Sequence, residues 1–162
     1  MATSELRTTT VTTPSDREVV MTRVFDAPRQ LVWEAFTVPE HLRNWLGPAD
    51  QPMLSCDVDL RPGGAYRYVW PQPNGELVIS GSYREVTPPE LLVSTESWGA
   101  DWPETLNTVA FSELDGLTTI TTTIVFPSNE AREAALGTGM TKGYSALLDR
   151  LAEYLPTIAT KE

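Results

Sequence analysis

The sequence predicts one α+β domain: an antiparallel sheet of about six to seven strands set against a long C-terminal helix, with two short helices after strand 1. Three observations lead there. Met140, Tyr144, Leu147, Leu148, Leu151, Tyr154 and Leu155 recur at three- and four-residue steps, the apolar stripe of an amphipathic helix. Most of the chain before that stripe reads as strands divided by turn signals. The helix, about sixteen residues and roughly 24 Å long, is too narrow to cover the apolar face of half a dozen strands. Either the sheet packs on a second sheet, or it curls around the helix and leaves space.

The elements follow in order. Glu18 to Phe25 (EVVMTRVF) is β-branched and aromatic, and reads as strand. Ala27-Pro28 ends it, and Pro28 suits the first turn of a helix carrying Leu31, Val32, Ala35 and Phe36, with Trp33 beside them. Pro39 opens a second short helix with His41, Leu42 and Trp45, stopped by Gly47-Pro48. Leu54, Cys56, Val58 and Leu60 alternate with polar residues, the period of a half-buried strand. Pro62-Gly63-Gly64 turns the chain into Tyr66, Tyr68 and Trp70. Pro73-Asn74-Gly75 is a hairpin turn into a strand over Glu76 to Val86, which Pro88-Pro89 ends. Leu91 to Trp98 is the next strand, followed by the loop 99–103. Leu106 to Leu114 pairs with Leu117 to Phe126 across Asp115-Gly116. Ala131 to Leu136 reads as helix, with a break at Gly137 to Gly139 before the long helix, since each interior Gly costs about 1 kcal/mol relative to Ala.

Composition narrows the function classes. The 162 residues fit a single domain with a proper core. A formal net charge of -10 and a pI of about 4.5 disfavour nucleic acid and anionic membrane surfaces as partners. The single Cys (Cys56) forbids an internal disulfide, and with the single His (His41) it cannot form a zinc site alone. No metal and no cofactor are expected: no calcium loop, P-loop or dinucleotide motif is present. Residues 1–17 are rich in Thr and poor in apolar side chains, without a signal-peptide pattern, and read as a disordered tail. The domain is expected over 18–156, with a second disordered tail over 157–162. A soluble cytoplasmic protein is the expectation.

Several motifs together resemble a known family. They are Phe25-Asp26-Ala27-Pro28 with Val32-Trp33, then Trp45-Leu46-Gly47-Pro48, then Asp59-Leu60-Arg61-Pro62-Gly63-Gly64, then Gly81-Ser82-Tyr83, then Pro88-Pro89-Glu90-Leu91. This pattern resembles the activator of Hsp 90 ATPase homologue-like family of the SRPBCC (START, Bet v 1-like) superfamily, over about residues 18–156. The resemblance implies a helix-grip fold, in which a curved sheet wraps the long helix and a cavity lies between them. It also implies a function class, since superfamily relatives bind or transform lipids, sterols, hormones and polyketides. Two positions depart from the pattern. Leu46 and Tyr144 stand where relatives often carry Trp, so the cavity here differs in volume and polarity.

The chemistry-bearing residues each have a structural and a functional reading. Asp59 and Arg61 are a turn clamp around Gly63-Gly64, or a charged pair at a cavity mouth. Tyr66, Tyr68 and Trp70 share a strand face, as core or as pocket lining. Trp98 and Trp102 bracket a loop that could gate a cavity. Tyr83 and Glu85, two apart on one strand, are surface residues or an acid–base pair. His41 sits at an ordinary helix start, and Cys56 reads as a small buried hydrophobe. The first functional expectation is therefore a binding module for a small apolar or amphipathic molecule, lined by Trp45, Tyr66, Tyr68, Trp70, Tyr83, Trp98, Trp102, Phe111, Met140 and Tyr144, with no catalytic residue assigned. The second is an enzyme of cyclase, hydrolase or lyase type, which would need a buried Glu85, Asp57 or His41 at the same cavity. The third is a module that engages a chaperone.

Overall fold

The structure is a computed structural model and describes residues 8–47, 50–99 and 102–159. Its elements are β1 (Thr10–Thr12), β2 (Glu18–Phe25), α1 (Arg29–Thr37), α2 (Pro39–Trp45), β3 (Ser55–Val58), β4 (Ala65–Gln72), β5 (Gly75–Thr87), β6 (Leu91–Glu96), β7 (Thr105–Leu114), β8 (Leu117–Val125), α3 (Asn129–Gly137) and α4 (Met140–Ala159). The eight strands form one antiparallel sheet in the order β1-β2-β8-β7-β6-β5-β4-β3. The α+β expectation holds, with helices on one face of the sheet.

Three boundaries differ from the sequence reading. The N-terminal segment expected to be disordered contributes β1, whose Thr10 and Thr12 lie opposite Thr22 and Val20. Thr and Val suit a pleated edge, and β2 would otherwise present an unpaired backbone there. Residues 1–7 of that segment lie outside the described residues, as do Pro48, the loop residues Ala100 and Asp101, and residues 160–162. At the other end, α4 continues past Leu155 to Ala159 with Pro156 inside it, and Ile158 is buried. Burial of Ile158 holds the last turn to the core despite the amide that Pro156 lacks. On the sheet, β3 is shorter than its alternation suggests: Cys56 is buried, while Leu54 and Leu60 are exposed.

The break between α3 and α4 is a loop. Ser128 caps α3 by accepting from the Ala131 amide, and Gly139 takes a left-handed φ of 84°. Gly143, one turn into α4, has open space around its Cα. Gly143→Ala is expected to stabilise the protein by about 1 kcal/mol, as a helix-interior Gly-to-Ala change does without a clash. Thermal unfolding followed by circular dichroism checks it.

Register assigns the faces. Phe25 of β2 lies opposite Thr118 of β8, Ile120 opposite Phe111 of β7, Val109 opposite Leu92 of β6, and Ser94 opposite Tyr83 of β5. Gly81 and Ile79 of β5 then lie opposite Tyr66 and Tyr68 of β4. These residues share the inner face, towards the helices. β5 changes partners along its length: Gly75 to Ser82 pair with β4, Tyr83 to Thr87 with β6, and the register shifts between Tyr83 and Glu85. That irregularity bends the sheet around the helix.

One end of the inner face is solid. Trp33 and Phe36 of α1 pack edge-on against Phe111, with ring centroids 5.2 and 5.4 Å apart, and Phe36 packs against Trp45 of α2 at 5.0 Å. Leu148, Leu151, Leu155 and Ile158 of α4 complete that cluster. A second cluster joins Val19, Met21, Ile124 and Phe126 to Ala131, Ala135, Leu136 and Met140 of α3 and α4. The backbone of α4 runs close to α1, α2, α3 and β2, and its Leu148 and Leu151 share one core cluster with Tyr66, Tyr83, Leu92 and Phe111 of the central strands. Arg23 of β2, only 2% exposed, meets Asp149 of α4 at 2.6 Å and Thr9 at 3.4 Å, which ties the segment before β1 to the helix.

Candidate functional site

The other end of the inner face is where the central strands keep accessible side chains. Strands in the middle of a sheet and beneath a helix ordinarily bury that face. Here Tyr68 on β4, Ser94 and Glu96 on β6, Asn107 and Val109 on β7, and Tyr144 on α4 are only partly buried. Yet desolvation dominates the titration of their ionisable members. Burial pushes the Tyr144 phenol up to about 12, against a hydrogen bond with Thr122 at 2.8 Å that pulls it down. Burial also raises Tyr68 well above the ordinary phenol range, with Tyr83 and Tyr66 adding to the shift.

Among the described residues, Glu96 is the carboxylate of this patch. Burial raises its pKa, and hydrogen bonds from Trp98 and Asn107 oppose the rise. The Trp98 indole N–H donates to Glu96 Oε1 at 2.8 Å. Asn107 is oriented in turn by Thr105, whose hydroxyl donates to Asn107 Oδ1 at 2.8 Å and leaves the amide nitrogen to face the carboxyl. Among the described residues no Lys or Arg forms an ion pair with Glu96.

A tyrosine cluster lies alongside. Tyr66 packs 5.1 Å from Tyr68 and 5.3 Å from Tyr83, ring centre to ring centre. Burial pushes Tyr83 up to about 12, moderated by a hydrogen bond from Tyr68. The Tyr66 hydroxyl donates to the Thr95 carbonyl at 2.6 Å. It reaches that atom because Gly81, opposite it, has no side chain: a Cβ there would overlap the Thr95 carbonyl oxygen and crowd the Tyr66 hydroxyl.

The ten residues singled out from the sequence separate into groups. Tyr68 and Tyr144 are in the accessible patch, Tyr83 and Tyr66 form its buried wall, and Trp98 reaches its carboxylate. Trp45 and Phe111 are buried in the main core cluster, which also holds Tyr66 and Tyr83. Trp45 is 1% exposed, and its indole N–H is spent on the Ala35 carbonyl at 2.9 Å. Met140 packs in the second cluster, between α3 and β2. Trp70 is buried with Gly47 (φ 107°) pressed on its indole, whose N–H has no hydrogen-bond partner among the described residues. Trp98 and Trp102 are 49% and 40% exposed at the two ends of the loop before β7.

The acid–base groups weighed from the sequence stand elsewhere. Glu85 is exposed and accepts from Thr87 at 3.2 Å, because the β5 bulge turns it away from the face of Tyr83. Asp57 is exposed, and His41 is hydrogen-bonded to the Tyr154 hydroxyl at 2.7 Å. Burial pushes the Cys56 thiol up to about 11, which keeps it protonated. Asp59 and Arg61 are a turn clamp. The Arg61 Nε lies 3.0 Å from both carboxylate oxygens, while the Gly63 amide and Gly64 carbonyl pair with Tyr83 at 2.8 Å. In the clamp the Asp59 side chain holds the Arg61 guanidinium.

Glu96 has no counterpart among the residues singled out from the sequence. Leu91, Leu92 and Val93 are all apolar, so the short β6 run has no clear parity, and only its pairing puts Ser94 and Glu96 on the inner side. Its raised pKa has a stability consequence. The folded state prefers the protonated acid, so this group's contribution is present below the ordinary glutamate pKa and lost as pH rises through the folded value. Glu96→Gln mimics the protonated form. It is expected to raise the melting temperature at pH 7 and to leave it unchanged near pH 4; equal gains at both values would contradict the desolvated setting of this carboxyl.

An open cleft of about 250 Å³ lies apart from this patch, near the ends of β7 and β8. Its strand residues Thr95, Leu106 and Val125 belong to the opposite face of the sheet from Glu96, and only Thr105, which pairs with Glu96, joins the two at the sheet's end. Among the described residues there is no cluster of three or more His, Cys, Asp or Glu placed to hold a metal, and no helix long and apolar enough to cross a membrane.

The family model described as "Activator of Hsp90 ATPase homolog 1-like protein" matches residues 26–156. The chain belongs to this family. Solved structures agree with the assignment. A protein from Rhodobacter sphaeroides superposes with a TM-score of 0.85 at 26% identity, over 93% of this chain and 99% of its own. Proteins from Mycobacterium smegmatis (26% identity) and Nitrosomonas europaea (25%) both reach 0.81, over 91% of this chain and 97% and 99% of theirs. None of the curated proteins matches the chain. As a member of the Hsp90 ATPase activator homologue family, the chain has the helix-grip arrangement its motifs implied. The Gly47 of its W-x-G-P segment and Gly64 of its D-x-R-x-G-G turn have steric reasons, since a Cβ would overlap the Trp70 indole or the Asp59 carbonyl oxygen.

Proposed function

We propose that this protein binds a small amphipathic molecule in a cavity between α4 and the inner face of β4 to β8. The observation that carries the reading is the accessible surface kept by Tyr68, Ser94, Glu96, Asn107 and Tyr144, residues on central strands and beneath the helix. Such sites are mostly apolar with a few fixed polar groups, and this patch has that composition. Tyr68, Tyr83, Val109 and Tyr144 supply the apolar and aromatic wall; Glu96, Asn107 and Ser94 supply the polar end. Trp98 and Trp102, exposed at either end of one loop, are suited to flank the opening. Helix-grip architecture supports the same reading, since a single helix against a curved sheet leaves an interior to fill. The cytoplasm is the proposed location, in keeping with a reduced, buried lone cysteine.

Native mass spectrometry of the protein purified from its own cell tests the reading. A co-purifying small molecule, released on denaturation and lost from a variant that fills the space (Ser94→Trp), is the expected result. A chain that neither carries a molecule nor takes up the neutral dye Nile red would sink it.

A further inference from the structure

We propose that the molecule held at this site carries a basic nitrogen, an organic cation whose ammonium group meets Glu96 while its apolar body lies against Tyr68, Tyr83 and Tyr144. The inference rests on the cavity reading above and narrows it to a chemical class.

The argument begins with the missing counter-charge. A carboxylate taken out of water is costly unless a cation and hydrogen bonds compensate it. Glu96 has the hydrogen bonds, from the Trp98 indole and from Asn107, and no described Lys or Arg pairs with it. Both neighbours are donors, so they hold the group as an acceptor and leave its remaining lone pairs for a third donor. The buried charge on this face, Arg23, is matched by Asp149 from α4. Glu96 is thus a charge on the inner face that the described residues leave uncompensated.

The walls favour the same chemistry. Tyrosine rings present negative π-faces, which attract cations more strongly where water is excluded. Burial raises the phenols of Tyr66, Tyr68, Tyr83 and Tyr144, so all four are neutral at physiological pH and cannot themselves supply the opposing charge. The net charge of -10 draws cations towards the molecule and repels anionic amphiphiles such as free fatty acids. A basic nitrogen would relieve the cost of ionising Glu96, so it should bind more tightly as pH rises through the folded pKa of that group. The groups that feel Glu96 are Tyr66 and Tyr68 from β4, Thr105 and Asn107 from β7, Tyr144 from α4, and Trp98, whose indole donates to it. Glu104, in the loop before β7, acts on Tyr66 through its charge and is the other carboxylate near this end.

Three matched probes test the assignment by calorimetry at pH 7: 2-phenylethylamine, 2-phenylethanol and 3-phenylpropanoate. Binding of the amine at least tenfold more tightly than the alcohol, with the carboxylate weakest, is the expected order. Glu96→Gln is expected to erase the tenfold preference, and Glu104→Gln to keep it. The melting-temperature comparison above shows whether the Glu96→Gln variant is folded. If Nile red enters the protein but amine and alcohol bind alike, or neither binds, or Glu96→Gln keeps the preference, the cation assignment is wrong and the cavity stands. If Nile red and all three probes are excluded, both readings fall together.

Discussion

Trp45→Ala is expected to destabilise the protein by about 4 kcal/mol, the upper part of the range for deleting a buried large side chain. Trp45 ends α2 and is 1% exposed. Its ring packs on Phe36, which packs on Phe111, so the substitution opens a void beneath both short helices. It also removes the indole N–H that reaches across to the Ala35 carbonyl. Urea unfolding measures the loss. With a slope of about 2 kcal/mol per molar for a domain of this size, the midpoint should fall by about 2 M. A fall under about 0.5 M, by the same principle about 1 kcal/mol, would show that this end of the molecule is not the filled core described here. Ligand uptake in any variant that still folds should persist, because Trp45 lies away from the Glu96 patch.

Gly81→Ala is expected to cost about 3 kcal/mol, at the high end for overpacking. The cause is specific. The added methyl would occupy the position of the Thr95 carbonyl oxygen, a backbone atom of the neighbouring strand that cannot swing away. It would also displace the Tyr66 hydroxyl from that carbonyl. Gly81 sits where β5 leaves β4 and takes up β6, so the strain falls on the bend that wraps the sheet around α4. Heteronuclear NMR of the variant should show shifts concentrated at residues 64–68, 79–83 and 94–97. Stability equal to the parent, with no such shifts, would show that the bare backbone at Gly81 is not what admits the Thr95 carbonyl and the Tyr66 hydroxyl. Gly143→Ala, at a position with open space, serves as the contrast.

Much of this architecture is legible from local chemistry. Alternation marks β3 and β4, β-branched and aromatic composition marks β2, and the turn residues Pro62-Gly63-Gly64, Pro73-Asn74-Gly75 and Asp115-Gly116 divide the strands. The three- and four-residue spacing of Leu148, Leu151 and Leu155 announces the C-terminal helix and its buried stripe. β1 is not legible, because a three-residue Thr-Val-Thr segment has little hydrophobic signal of its own and forms only on the free edge of β2. Nor is the end of α4, because Pro156 is a strong local breaker, overridden by burial of Ile158.

The site is legible only in part. Tyr66, Tyr68, Tyr83 and Tyr144 stand out as aromatics facing the helices, and Trp45 and Phe111 share that signature in the same core cluster. Composition cannot distinguish a lining aromatic from a packed one, because both are large and apolar. Glu85 and Glu96 show the same limit for charge. Counted along the chain, Glu85 follows Tyr83 at the spacing of a shared face, but one shifted register turns it to solvent. Glu96 follows an apolar run without readable parity, and pairing with β7 carries it inside. The division into strands and helices was thus written in the chain alone, since it depends on neighbours a few residues apart. Which carboxylate faces the interior, and whether that interior is packed or open, depends on contacts between distant segments, and those exist only once the chain has folded.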